Sequence, residues 1–307
     1  MDTTAFSFSF TPIQTLHFDR THRIRAVIQP ATPKLADTAA SPATAAAEYC
    51  LAHHALEGAE AAARAGDTTT FDWYAAHVDA NAMPLATPTA VGPRIVVNPG
   101  LDRLPRSAIS ETPYYVLSPE SIAASPGLQE LAAAAYAVGA KNGFGDLLAA
   151  HAVVVVLLRL KQLGDTLDSW TITRLPGTVF CDHVDEPAVL ARDLIHEAGH
   201  NWLNDALTAT DTKISDEVQF YSPWKQTMRP AFGFLHACWA FPLTVIYAAR
   251  VLPETAGTVH QFLAAYLSQQ RDLLARTAED HAHALALIPD TALRQRLHSV
   301  HHEALSL

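Results

Sequence analysis

Pro187-Ala188-Val189-Leu190-Ala191-Arg192-Asp193-Leu194-Ile195-His196-Glu197-Ala198-Gly199-His200-Asn201-Trp202-Leu203 is the stretch that decides how this chain reads. Val189, Leu190, Leu194, Ile195, Trp202 and Leu203 recur at helical spacing and form an apolar stripe. Pro187 suits the first turn of a helix, and Asp185 or Glu186 stands where a cap belongs. His196 and His200 are four residues apart, so both imidazoles project from one face and reach a common metal ion, with Glu197 between them. Histidine is common in this chain, 16 in 307 residues, so the helical setting carries the reading as much as the motif does.

A catalytic metal needs a third protein donor, and two candidates lie downstream. Glu217 would complete a zinc peptidase site with His196 and His200, Glu197 acting as general base on the bound water. His236 sits in Phe232-Gly233-Phe234-Leu235-His236-Ala237-Cys238-Trp239 and is the only histidine between positions 201 and 259. A histidine in so apolar a helix is either a hydrogen-bonded core residue or a ligand facing the motif. The residues favour His236 and leave Glu217 open. The segment before it is unusual too: Phe220-Tyr221-Ser222-Pro223-Trp224-Lys225-Gln226-Thr227-Met228-Arg229-Pro230 gathers aromatics, a hydroxyl and two cations. Placed on one helix face with His236, Arg229 would lie about 10 Å along the axis. That is the scale on which a chelated five-carbon diacid presents its far carboxylate to a guanidinium fork.

Composition narrows the rest. The chain is 49% hydrophobic and 17% charged, enough for a substantial core, with only 13 glycines and much alanine. A net charge of −10 with no basic stripe argues against nucleic acid as a partner. Cys50, Cys181 and Cys238 are odd in number, far apart and in apolar contexts, which suits buried free thiols in a reducing cytoplasm. The start, Met1-Asp2-Thr3-Thr4-Ala5-Phe6, lacks the pattern of a secretory signal, and the run Ala152–Leu158 is too short for a membrane span. No membrane association is expected.

Along the chain, Phe6, Phe8 and Phe10 alternate as a short strand would, and residues 36–65 read as helix broken near Ser41-Pro42. Residues 84–119 are proline-rich and irregular, with a short strand at Arg94–Val97. Helices are expected around 119–138 and 145–163, the second buried in the core. Ser169–Arg174 and Thr178–Cys181, around Leu175-Pro176-Gly177, form a hairpin leading into the motif helix. Residues 208–229 read as polar loop, followed by a long apolar helix from Pro230 to about Val251 and further helices at 254–277 and 290–305. His281, His283, His298, His301 and His302 read as solvated helix faces. The expected fold is a single domain over 1–307, mainly α with a small β-sheet or hairpin. Residues 1–165 form a mostly helical N-terminal part, 166–250 the metal and cosubstrate region, and 251–307 the C-terminal helices.

The set His196-Glu197-Ala198-Gly199-His200-Asn201, Tyr221-Ser222-Pro223-Trp224-Lys225, Arg229-Pro230, Gly233 and Leu235-His236 resembles the α-ketoglutarate-dependent HExxH-type peptide β-hydroxylases, which modify ribosomally made peptides. The resemblance covers about residues 170–250. It implies Fe(II) held by His196, His200 and His236, α-ketoglutarate and O₂ as cosubstrates, and a precursor peptide hydroxylated at a side-chain β-carbon. It also implies cosubstrate contacts from Tyr221, Ser222, Trp224, Lys225 and Arg229, with Glu197 beside the metal. The family tends to have arginine where this chain has Lys225, so Arg229 is the better clamp for the distal carboxylate. Two other readings stay open: the zinc metallopeptidase, and a metal-free protein that recruits a peptide through Phe71, Trp73 and Tyr74.

Overall fold

Six consecutive apolar residues from Val153 to Leu158 set the centre of the molecule. In the computed structural model, which describes residues 7–28, 41–77, 83–104 and 112–307, they are not helix. The helix expected over 145–163 stops early, and Val154–Leu160 is a strand. Both of its faces are covered, so alternation is lost and the run looks like a buried helix. Val155 and Leu157 join one apolar cluster, Val154, Val156 and Leu158 another on the opposite face.

The sheet runs β1 (Ala86–Thr87), β2 (Arg94–Val97), β3 (Val154–Leu160), β4 (Ser169–Trp170) and β5 (Thr178–His183), in spatial order β1-β2-β3-β5-β4. β2, β3 and β5 are parallel, with Val96 opposite Val155 and Val156 opposite Phe180, while β1 and β4 pair antiparallel at the edges. The expected strand at Arg94–Val97 is β2. The expected hairpin into the motif helix is present in shortened form, with Ser169 opposite Cys181 and Trp170 opposite Phe180.

Helices pack on both faces. Three precede the sheet or begin beside it: α1 (Thr11–Ile28), α2 (Pro42–Ala65) and α3 (Thr68–His77). Ser41 caps α2 by accepting a hydrogen bond from the Thr44 N–H, with Pro42 in the first turn. Phe8 and Phe10 are buried ahead of α1 in no regular strand; Phe6 and residues 36–40 lie outside the described residues. α4 (Pro126–Gly139) and α5 (Gly145–His151) cross from β2 to β3, and Gly143, at φ +90°, turns the chain between them. Helix therefore begins at Pro126, not at Pro119. After β5 comes the motif helix α6 (Pro187–Ala209), then a hairpin of β6 (Gln219–Ser222) and β7 (Thr227–Pro230) in the stretch expected to be loop. α7 (Ala231–Val251), α8 (Gly257–Ala275), α9 (Ala278–Leu285) and α10 (Thr291–Ser306) follow. The architecture is mainly α with a small mixed sheet. α7 is long and apolar enough to cross a membrane, yet it is almost wholly buried within the protein.

Burial overturns one expectation. His281 and His301 are not solvated: each is 3% exposed, their rings stack at 3.8 Å, and His301 Nε2 lies 3.0 Å from Thr277 Oγ1. His283, His298 and His302 are exposed as expected. Tyr74 is buried and its hydroxyl donates to the Leu117 carbonyl at 2.8 Å, with Phe71 and Trp73 packed on the same small cluster, so these aromatics are core. All three cysteines are buried free thiols.

The contact that matters most for the site joins α6 to α7. A Cβ on Gly199 would lie 2.8 Å from Leu243 Cδ1 and 3.6 Å from the Ala240 backbone. The bare Gly199 backbone instead accepts a hydrogen bond from Trp239 Nε1 at 2.9 Å. Gly199→Ala is expected to destabilise the protein by about 1–3 kcal/mol through overpacking. Thermal denaturation reads this directly; an unchanged midpoint would mean that the two helices are not in close contact.

Candidate metal centre

α6 and α7 bring three histidines into a row. His196 Nε2 lies 3.1 Å from His200 Nε2, and His200 Nδ1 lies 3.0 Å from His236 Nδ1. The expected pairing of a motif helix with a second histidine-bearing helix is therefore present. The two contacts leave His200 from opposite ring nitrogens, and an ion takes an imidazole through one nitrogen, so a centre using all three rings requires one ring to turn. His236 Nε2 is buried without a hydrogen-bond partner among the described residues, leaving a donor atom that a metal bond would satisfy.

Burial keeps all three rings neutral. It drives the His200 pKa down to about 4, with the Arg229 charge adding to the effect. Burial also holds His196 well below the ordinary range, helped by His200, Arg192 and His236, and does the same for His236, helped by His200 and Arg229. Neutral imidazoles keep their lone pairs for a metal at neutral pH. Glu197 belongs to the same cluster: a carboxylate oxygen lies within 4.8 Å of His196 and His200 donor atoms. Its Oε1 accepts from Ser169 Oγ at 2.7 Å, while Oε2 is buried without a partner. Burial pushes its pKa up to about 8, against the Ser169 hydrogen bond and with help from Asp193, which favours the protonated form in the metal-free protein.

Glu217 is elsewhere. It is exposed in the turn before β6, and among the described residues it does not join the cluster around His196 and His200. The set His196, His200 and Glu217 is not assembled; among the described residues the donors within 4.8 Å of one another are those of His196, Glu197 and His200, and His236 meets this group only through His200 Nδ1.

The hairpin explains the aromatic and cationic segment. Arg229 is in β7, opposite Phe220, and not on one helix with His236 as expected. It reaches the site another way: its guanidinium lies flat against Gly233, where a Cβ would stand 2.8 Å from Nη2. Gly233 is three residues before His236 in α7, so the missing side chain admits the cation beside the histidine row. Among the described residues no carboxylate forms an ion pair with Arg229. Trp224 stacks on Phe241 at 4.5 Å, Phe241 meets His196 at 4.8 Å, and Trp224 Nε1 donates to Gln270 Oε1 of α8 at 2.8 Å. This gives the centre an aromatic side. Ser222 is buried with its hydroxyl unpartnered, Tyr221 is 46% exposed on the outer face of β6, and Lys225 is exposed in the connecting turn.

Sequence reasoning missed two neighbours. Ser169, from edge strand β4, is far in sequence and carried no signal. Arg192 stands one turn before His196, a spacing that was legible; it is buried, hydrogen-bonds Asp193 at 2.6 and 2.9 Å, and lies over the Tyr266 ring at 4.7 Å.

The Glu197 environment has a consequence for stability. The unfolded carboxyl ionises near pH 4.5, whereas the folded one holds its proton to about pH 8. The unfolded state is thus favoured increasingly across that window as pH rises. In chelator-treated protein, Glu197→Gln is expected to be no more stable than the original at pH 4, with its relative stability growing up to pH 8. Denaturation midpoints measured at several pH values check this; a difference independent of pH refutes the buried, protonated state. Comparison with known protein families and with curated proteins finds no match for this chain.

Proposed function

We propose that this protein is an Fe(II)- and α-ketoglutarate-dependent oxygenase that hydroxylates a side-chain β-carbon of a ribosomally made precursor peptide. The observation that carries the reading is the meeting of three neutral histidines, His236 buried and His196 and His200 partly exposed, with a guanidinium that no carboxylate pairs among the described residues. A chelating dianion fits such a place: one end meets the metal, and the distal carboxylate meets Arg229.

His196, His200 and His236 are the donors for Fe(II), and the unpartnered His236 Nε2 supports this fit. Bound Fe(II), with α-ketoglutarate and O₂, supplies the oxidising chemistry. The protein's own residues bind, orient and exclude water. Arg229 holds the far carboxylate bidentately, and Gly233 leaves it the room. Trp224 and Phe241 give one side of the centre an aromatic wall. Glu197 stands beside the metal donors and is held in place by Ser169. The buried Ser222 hydroxyl is a candidate cosubstrate contact, and exposed Tyr221 a surface for the peptide. Lys225, exposed in the turn, is the weaker clamp.

Anaerobic addition of Fe(II) and α-ketoglutarate is expected to give a visible charge-transfer band. His236→Ala should lose iron as severely as His196→Ala or His200→Ala. Loss of only part of the affinity would make His236 a partner of His200 instead of a ligand. Arg229→Leu should keep iron and raise the α-ketoglutarate requirement about 10- to 100-fold, the scale of a charge-assisted hydrogen bond. Arg229→Lys should rescue in part, and Lys225→Ala should do less harm than either. Normal turnover by Arg229→Leu, or peptide-bond cleavage without the cosubstrate, sinks the reading.

A further inference from the structure

A second group of donors lies further along α6. Asp205 is five residues past His200, about 7.5 Å along the axis and roughly 140° around it, so it does not face the first centre. It meets His17 from α1 and His151 at the end of α5, and the three donor atoms lie within 4.8 Å of one another, all buried. We propose that His17, His151 and Asp205 bind a zinc ion that fastens the N-terminal helix to the motif helix.

The geometry separates this from an ordinary hydrogen-bonded triad. Both histidines point at the same oxygen, Asp205 Oδ2, at 2.9 Å for His17 Nε2 and 3.4 Å for His151 Nδ1. Donors bonded tetrahedrally at 2.0–2.1 Å stand about 3.3 Å apart. His151 Nδ1 is within ion-pair reach of that oxygen but poorly aligned for a hydrogen bond, and it is buried with no other partner among the described residues. A buried nitrogen left so is costly, and a metal bond satisfies it. Burial raises the Asp205 pKa, but the two histidines outweigh burial and hold it well below the usual carboxylate range.

The surroundings fit a fixed ion. His17 stacks on Tyr49 at 4.2 Å, and the Tyr49 hydroxyl donates to Asp205 Oδ1 at 3.4 Å, which together orient two of the donors. Asn201 Oδ1 is a second buried, unpartnered acceptor, and its Nδ2 is held by the His151 carbonyl at 2.9 Å. Asn201 and Asp205 line one cavity of about 320 Å³, together with Tyr49 and Arg20. That cavity reaches the group from the Asp205 side and gives a water or small anion access to it, with Arg20 favouring the anion. Two nitrogens and one carboxylate suit zinc, and no thiol is needed.

The test is metal content of the full chain after equilibration with micromolar zinc and passage over a chelating resin. The original protein should carry two ions, His17→Gln one, and His196→Ala/His200→Ala one. Adding Asp205→Asn or His17→Gln to that double variant should remove the remaining ion and abolish the rise in melting temperature caused by zinc. Circular dichroism keeps folding separate from binding; if Asp205→Asn does not fold, His17→Gln gives the reading. Metal content unchanged by His17→Gln overturns the proposal, as does a folded double variant with no zinc. A His196→Ala/His200→Ala variant that carries as many ions as the original, with one lost in His17→Gln, supports this site and counts against the first one.

Discussion

The approach of α6 to α7 at Gly199 is the constraint on which the site rests. Two helices touching through a glycine backbone come closer than side chains normally allow, and that distance brings His236 to His200. The Trp239–Gly199 hydrogen bond locks the crossing, and Trp239 stacks on Trp202 of α6 at 4.6 Å. Gly233 repeats the device two turns earlier in α7, admitting a guanidinium in place of a neighbouring helix. Two missing side chains thus define where the histidines and the cation meet.

Desolvation does the rest of the chemistry. Burial limits the water that reaches this region, so the charged forms of imidazole and carboxyl are both disfavoured. In the metal-free protein the histidines stay neutral and Glu197 favours its protonated form, and the permanent charges at the centre are those of arginines. Arg192 is balanced by Asp193, whereas Arg229 has no acid against it among the described residues. A neutral donor set beside one uncompensated cation favours an anion that also binds metal. The same physics acts with another result at Asp205, where two histidines keep a buried carboxylate ionised.

The motif helix, the long apolar helix beginning at Pro230 and the candidacy of His236 were legible because local periodicity and spacing encode them. β3 was not. A strand covered on both faces has no alternation, and its apolar run differs little from a buried helix until its neighbours are known. Arg229 was identified for its charge and position but assigned to a helix face. Its access to the centre depends on a strand pairing, Phe220 with Arg229, and on open space at Gly233. Ser169 and the His17–His151–Asp205 group were invisible for the same reason: their partners lie 28 to 188 residues apart.

The sequence by itself determined the helix class and the i and i+4 geometry of the two motif histidines. These follow from the 3.6-residue repeat, which acts over a few residues. Only the tertiary structure decided which distant groups face that helix. It put His236 beside His200, left Glu217 in solvent, and buried His281 and His301. Burial and long-range contact arise when faces pack against each other, and packing depends on the shape of both partners, which no local pattern records.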